Sequence, residues 1–298
     1  MEATAIGWGE FFALASAVSW AVAVVLFRQP GKLLPAFELN LFKNMLGFLL
    51  LIPTLMLVEG LSVPDYSLRD LGVVLLSGYL GIAVADTWYL RALNLMGASR
   101  IGIVASLLSP FVILLSVLFL GESLRGWQIS GLVLVMAGIL LVTWQRKHAS
   151  VDRDNVHKGI RYGIGAVFLM AVGIVMVKEI LETRSFLWTV EIRMFGGLLG
   201  MVTVTVLRKR VASVRASFSM PLPWVQITVA SFLGAYVSML MYLAGYKLIS
   251  ASVASILNES ATAWIVLLAW LVLGESLGLR KVAGLVLTMA GVAIMLLV

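Results

Sequence analysis

The chain has 298 residues, of which 61% are hydrophobic and only 12% charged, and its mean hydropathy is +1.04. That composition excludes a water-soluble globular domain, and it excludes a barrel too, because stretches such as VILLSVLFL at 112–120 do not alternate. The net charge of +7 comes from Lys and Arg at the ends of apolar runs, which implies cytoplasmic retention and not nucleic acid; the absence of cysteine excludes disulfides, thiol nucleophiles and Cys-based metal sites.

Apolar runs long enough to cross a hydrocarbon core recur along the whole chain. In order they predict spans over 6–27, 37–58, 71–90, 101–120 and 127–144, then a polar linker at 145–161, QRKHASVDRDNVHKGIR. A second set follows over 162–177, 186–207, 224–243, 251–273 and 282–298. The first Lys or Arg is Arg28, so the N-terminal run reads as a spanning helix and not as a cleaved signal.

The second set repeats the first. GESLRGWQISGLVLVMAG at 121–138 and GESLGLRKVAGLVLTMAG at 274–291 agree at eleven of eighteen positions, at an offset of 153. At the same offset Glu38 meets Glu191, Phe42 meets Phe195, Gly47 meets Gly200, Gly81 meets Gly234 and Tyr89 meets Tyr242. The first helices align at offset 150, with Ala21 on Ala171, Val25 on Val175 and Arg28 on Lys178. Residues 1–144 and 162–298 are therefore read as two five-helix repeats joined by 145–161. An odd number of spans makes the second unit enter from the opposite side, an inverted repeat of the kind transporters use. The fold class expected is an all-α integral membrane protein of ten transmembrane helices. Connections after odd spans hold 16 Lys and Arg and the remainder 6, which places both termini outside.

The twice-repeated Gly-Glu-Ser followed by a Gly-rich apolar helix (Gly121, Glu122 and Ser123 with GLVLVMAG at 131–138; Gly274, Glu275 and Ser276 with GLVLTMAG at 284–291) resembles the drug/metabolite transporter superfamily, specifically its EamA family of ten-helix carriers. The resemblance covers nearly the whole chain. It implies a secondary carrier for small metabolites, often an exporter of amino acids or related compounds. It further implies that helices 1–4 and 6–9 surround a central cavity while helices 5 and 10 pack behind it. The family tends to carry an Arg early in its second helix; Lys43 and Arg193 are the nearest candidates and stand three positions out of register, so no role is transferred to either.

Glu259 stands in mid-span between Asn258 and Ser260, where an ionised carboxylate costs at least ~2.5 kcal/mol and must face a cavity or a partner. Its counterpart at offset 153 is Ser106, so the carboxylate is not shared by the repeats. It can hold a cationic group or exchange a proton, or belong to a structural polar cluster. Asp86, followed by Trp88, Tyr89 and Arg91, reads equally as an interfacial ion pair with Arg91 or as a cavity wall. Ser106 and Ser109 flank the backbone that Pro110 interrupts, and a helix broken at that depth lines a cavity or packs on protein. Trp20, Tyr236, Tyr242 and Trp264 either pack or stack on a substrate. Gly131 and Gly138, like Gly284 and Gly291, stand seven apart on one face and suit a close helix 5–helix 10 contact. Glu122 and Glu275 read as caps at the start of the following helix, and Glu38 and Glu191 as favourable charges at helix N-termini.

The reading is a secondary transporter of small metabolites working by alternating access, multi-pass in a bacterial plasma (inner) membrane, with a small-molecule substrate, H+ as candidate coupling ion, and no cofactor or metal. The alternative is a membrane-embedded enzyme acting on a lipid or polyprenyl substrate. It lacks a catalytic set: there is no Ser/His/Asp arrangement, HExxH or P-loop, and His148 and His157 both lie in the linker.

Overall fold

The computed structural model describes residues 7–60, 62, 64–96, 101, 104–143, 153–273 and 278–296. Among these the regular structure is entirely helical. We label the main helices α1 (Trp8–Phe27), α2 (Ala36–Val58), α3 (68–96), α4 (Leu108–Phe119), α5 (Gly126–Thr143), α6 (Arg153–Thr183), α7 (Phe186–Leu207), α8 (224–248), α9 (251–273) and α10 (Leu279–Leu296). Seven of them, α1–α3 and α6–α9, are long and apolar enough to cross a membrane. Leu108–Phe119 in α4, Gly126–Gly138 in α5 and Val282–Ile294 in α10 are shorter apolar stretches. Large side chains such as Leu57, Val58, Leu118 and Phe119 are exposed on the outer faces, as a lipid-facing surface requires.

Serine caps start several helices. Ser67 Oγ accepts from Asp70 N at 3.0 Å to begin α3, Ser185 Oγ from Trp188 N at 3.4 Å to begin α7, and Ser250 Oγ from Val253 N at 3.3 Å to begin α9. The connections then sort to two ends. At one end Tyr66 donates to Ser185 O at 3.1 Å and Arg184 pairs with Asp70 at 2.8 Å, joining the α2–α3 and α6–α7 connections. At the other end Arg210, beyond α7, pairs with Glu38 of α2 at 2.8 Å.

Helix α6 begins at Arg153, so the second part of the expected linker, 153–161, is helical. Thirty-one residues make a rod of about 46 Å, longer than the hydrocarbon core, and its first turns carry the polar residues Asp154, His157, Lys158 and Arg161 beyond the apolar run.

Two other departures concern continuity. Helices α3 and α8 are each interrupted by a π-helical stretch, Tyr79–Ala85 and Phe232–Val237, and these begin 153 residues apart. The expected spans over 101–120 and 251–273 are both broken, by a turn at Ser106–Leu107 and by one at Glu259. The first break lies four residues before Pro110, whose missing N–H cannot bond Ser106 O. The second needs no proline: Ser255 Oγ donates to Ser252 O at 2.8 Å and Asn258 Nδ2 to Ala254 O at 2.8 Å, and side chains that bind their own backbone compete with a regular helix.

Behind these helices α5 and α10 lie against each other through glycine. A Cβ on Gly138 would stand 2.6 Å from Gly284 O and 2.5 Å from Thr288 N; one on Gly291 would stand 2.7 Å from both Gly131 O and Val135 N. The contact is reciprocal, since 131 and 135 become 284 and 288 at the repeat offset.

Candidate functional site

The eight helices α1–α4 and α6–α9, with Ala105 just before α4, wall a cavity of about 160 Å³. Among the described residues, helices α5 and α10 give it none. Most of the wall is apolar or aromatic, and among the described residues four charged side chains interrupt it: Lys43, Asp86, Arg193 and Glu259. All lie within helices of membrane-spanning character.

Glu259 is 5% exposed and stands at the break in α9. Its Oε1 accepts from Ser109 N at 3.2 Å and from Ser109 Oγ at 2.9 Å. Ser109 is the second residue of α4, so the carboxylate sits on the N-terminus of a half-helix, where free amides and the helix dipole favour negative charge. The break that Pro110 starts thus creates the donor that Glu259 uses. Beside it Asn258 Oδ1 accepts from Ser16 Oγ at 2.6 Å, tying α9 to α1. Ser106 is buried close by in the turn and does not contribute to the cavity wall.

Asp86 follows the π-helical stretch of α3 directly. It pairs with Lys43 of α2, Nζ to Oδ2 at 2.6 Å, and not with Arg91. Arg91 points away and lies over the Tyr162 ring, 4.5 Å from its centroid. The two positions are separated by more than a helical turn, which takes Arg91 off the face that Asp86 presents to the cavity. Lys43 Nζ also lies 5.5 Å from the centroid of Trp20, and Trp20 lies 6.2 Å from Tyr89. One residue-turn back on α2, Asn40 Nδ2 donates to Ile82 O at 2.8 Å and to Thr87 Oγ1 at 3.1 Å, so α2 holds the π-helical stretch at the point where its regular bonding is interrupted.

Arg193 is 4% exposed and enters from α7. Its Nε donates to Ser77 Oγ at 2.9 Å, and Ser77 Oγ in turn donates to Gly173 O at 2.6 Å. A Cβ on Gly81 would stand 2.7 Å from Nη2, so the glycine leaves room for the guanidinium where it lies.

Several expected site residues lie elsewhere. Tyr236 shares a 2.6 Å hydrogen bond with Thr54 and stacks on Phe232, and it does not line the cavity. Trp264 is half-buried in α9 and is also outside the wall. The Glu122 carboxylate caps a different helix from the one expected: Oε1 accepts from Ala251 N at 2.7 Å and Oε2 from Ser252 N at 2.9 Å, at the start of α9. Its counterpart Glu275 lies outside the described residues. Glu38 is fully buried with Oε1 against Arg210, whereas its counterpart Glu191 makes no ion pair among the described residues; Oε2 of each is buried and unbonded among them.

The sequence profile described as the EamA-like transporter family matches residues 7–144 and again 157–297. The chain belongs to the EamA-like transporter family. A protein of Clostridium kluyveri described as an uncharacterized transporter is 24% identical over 294 residues, covering 95% of this chain and 91% of that one. A solved structure titled only as a crystal structure of a protein superposes with a TM-score of 0.76 at 16% identity, over 96% of this chain and 95% of the other. That likeness shows a shared fold. EamA membership with seven helices fit to span makes this an integral, multi-pass membrane protein and a membrane transporter, and points away from an enzyme.

Within this EamA-family transporter the cavity brings together Trp20, Asp86, Tyr242, Asn258 and Glu259, with Ser109 holding Glu259 from behind. Lys43 and Arg193 also line the cavity, although they are out of register between the repeats and so match no shared position. Charge at a helix-interior position was the signal available for both.

Proposed function

We propose that the protein is a secondary carrier that moves a small metabolite by alternating access through this cavity. The observation that carries the proposal is a cavity walled by both halves of the chain, with four charged side chains, among the described residues, inside helices long and apolar enough to span a bilayer. Such groups are costly in lipid and mark substrate or ion pathways. In the proposed architecture all ten helices cross the bilayer as two inverted repeats, 1–144 and 162–298, in a bacterial plasma membrane with both termini outside. The recurrence of a π-helical stretch and of a helix break at the offset 153, and the reciprocal glycine contact of α5 and α10, support it.

In this reading Glu259 binds a cationic group or carries the coupling proton, and Asp86, Asn258, Trp20 and Tyr242 complete the contact surface, while Ser109 positions the carboxylate. The test is flux of amino acids and cationic solutes into proteoliposomes, with and without a pH gradient, for wild type and Glu259→Gln. The variant keeps the volume and the bonds from Ser109, so it is expected to fold and to lose transport or its pH dependence. Wild-type flux with unchanged pH dependence would falsify the role of Glu259.

A further inference from the structure

Of the four charges in the cavity, three have evident partners. Lys43 and Asp86 neutralise each other at 2.6 Å, and Glu259 rests on the α4 N-terminus through Ser109. Arg193 does not. No carboxylate among the described residues makes an ion pair with it, although Asp86 and Glu259 share the same cavity. Its contacts are a hydroxyl at Nε and a thioether, Met239 Sδ, 3.7 Å from Nη1. A guanidinium taken out of water with no carboxylate bonded to it is unfavourable, since the Asp86 carboxylate that acts on it from a distance is already bound to Lys43, and the arrangement leaves a place for an anion from outside the chain.

The surroundings fix how such an anion would bind. Ser77, itself anchored on Gly173 O, holds Nε and sets the plane of the guanidinium, and Gly81 gives Nη2 room where a side chain would collide. A guanidinium oriented at Nε and short of acceptors at its two Nη groups presents a fork that matches a carboxylate. The rest of the wall offers Trp20 and Tyr242 but no further unpaired cation among the described residues. The volume of about 160 Å³ suits one ring, since about 150 Å³ of apolar cavity accommodates benzene.

We propose that Arg193 is the anion subsite of the cavity and that the substrate class is a small carboxylate with an apolar or aromatic body. The inference rests on the carrier reading for its physiological meaning but not for its test. Benzoate and phenylacetate, each set against its primary amide, and phenethylamine as the cationic comparison, are titrated into the detergent-solubilised protein, with thermal unfolding followed by tryptophan fluorescence. Both carboxylates are expected to raise Tm, and the amides and the amine are not. Arg193→Gln shifts the half-saturating carboxylate concentration at least tenfold upward. Arg193→Met, without any added solute, keeps the wild-type Tm or exceeds it, because a buried charge is removed and no ion pair is lost.

Amides as effective as carboxylates, wild type indifferent to both carboxylates, Arg193→Gln responding like wild type, or a large fall in Tm for unliganded Arg193→Met would each overturn the assignment. The carboxylate–amide comparison on wild type needs no variant to fold. Carboxylate binding without flux of any solute in proteoliposomes would sink the carrier reading and leave the subsite standing; flux of cationic solutes with no carboxylate response would do the reverse.

Discussion

The α5–α10 seam permits a prediction of opposite signs from one kind of substitution. Adding a single methyl at Gly138 places a Cβ 2.5 Å from Thr288 N and 2.6 Å from Gly284 O, and at Gly291 2.7 Å from Gly131 O and Val135 N. These neighbours are backbone and cannot swing aside, so the two helices must part by roughly an ångström along their contact. Overpacking of this kind costs about 1–3 kcal/mol, against which alanine in a helix regains about 0.5–1 kcal/mol over glycine. Gly72, in the second turn of α3, has nothing within 4 Å of its Cβ position and receives the gain alone. Gly138→Ala and Gly291→Ala should therefore lower Tm by a few degrees and by similar amounts, and Gly72→Ala should hold or raise it. Tryptophan-detected unfolding in detergent reads all three, with folded yield from size exclusion as a second measure. Equal Tm values across the three variants would refute the close contact.

Other outcomes follow from the same geometry. Lys43→Met leaves Asp86 as an unpaired buried charge and should destabilise by about 3–5 kcal/mol, and adding Asp86→Asn should recover most of that loss; additive losses in the double variant would mean the pair is not coupled. Glu122→Gln retains one acceptor but weakens two charge-assisted bonds to the α9 N-terminus, so Tm should fall by the equivalent of about 1–2 kcal/mol, and an unchanged Tm would detach Glu122 from that cap. Reporters fused after Val298 and inserted at His148 should behave as external and cytoplasmic, respectively, and the reverse at both would show that charges within helices misled the count.

What could be read in the sequence was what repeats or what composition dictates. Long apolar runs without alternation give helices because the other structure that satisfies a backbone in lipid, a closed barrel, needs alternating strands, and the GES-to-MAG stretch marks the duplication by identity alone. Glu259 stood out for the same reason, as a charge where charge is expensive. Partners were hidden. Asp86 has Arg91 five residues away in sequence, yet it binds Lys43 on another helix, and Glu122 reaches 129 residues ahead to Ala251 instead of the helix that follows it. Neither choice has a local signal, since both depend on which helix faces lie together. The break at Ser106 was foreshadowed by Pro110; the one at Glu259 was not, because the serine and asparagine that favour it are compatible with a helix until tertiary packing decides. Lys43 and Arg193 escaped because the comparison between repeats asks for equivalence, and the cavity uses them unequally.

The bond between Glu122 and the start of α9 has a mechanical side. It is a clasp: the turn between α4 and α5 grips the first amides of a helix that carries Glu259 eight residues further on. Parting these two turns means releasing both bonds at once, at about 1.5–3 kcal/mol each for a charged acceptor. A threshold of that size, roughly 3 kcal/mol or more, holds the clasped arrangement over the open one by a factor on the order of a hundred. Helix α9 is thus held at its first turn and interrupted at Glu259, which divides it into a clasped segment, Ala251–Asn258, and a second segment, Ser260–Leu273, that this clasp does not hold.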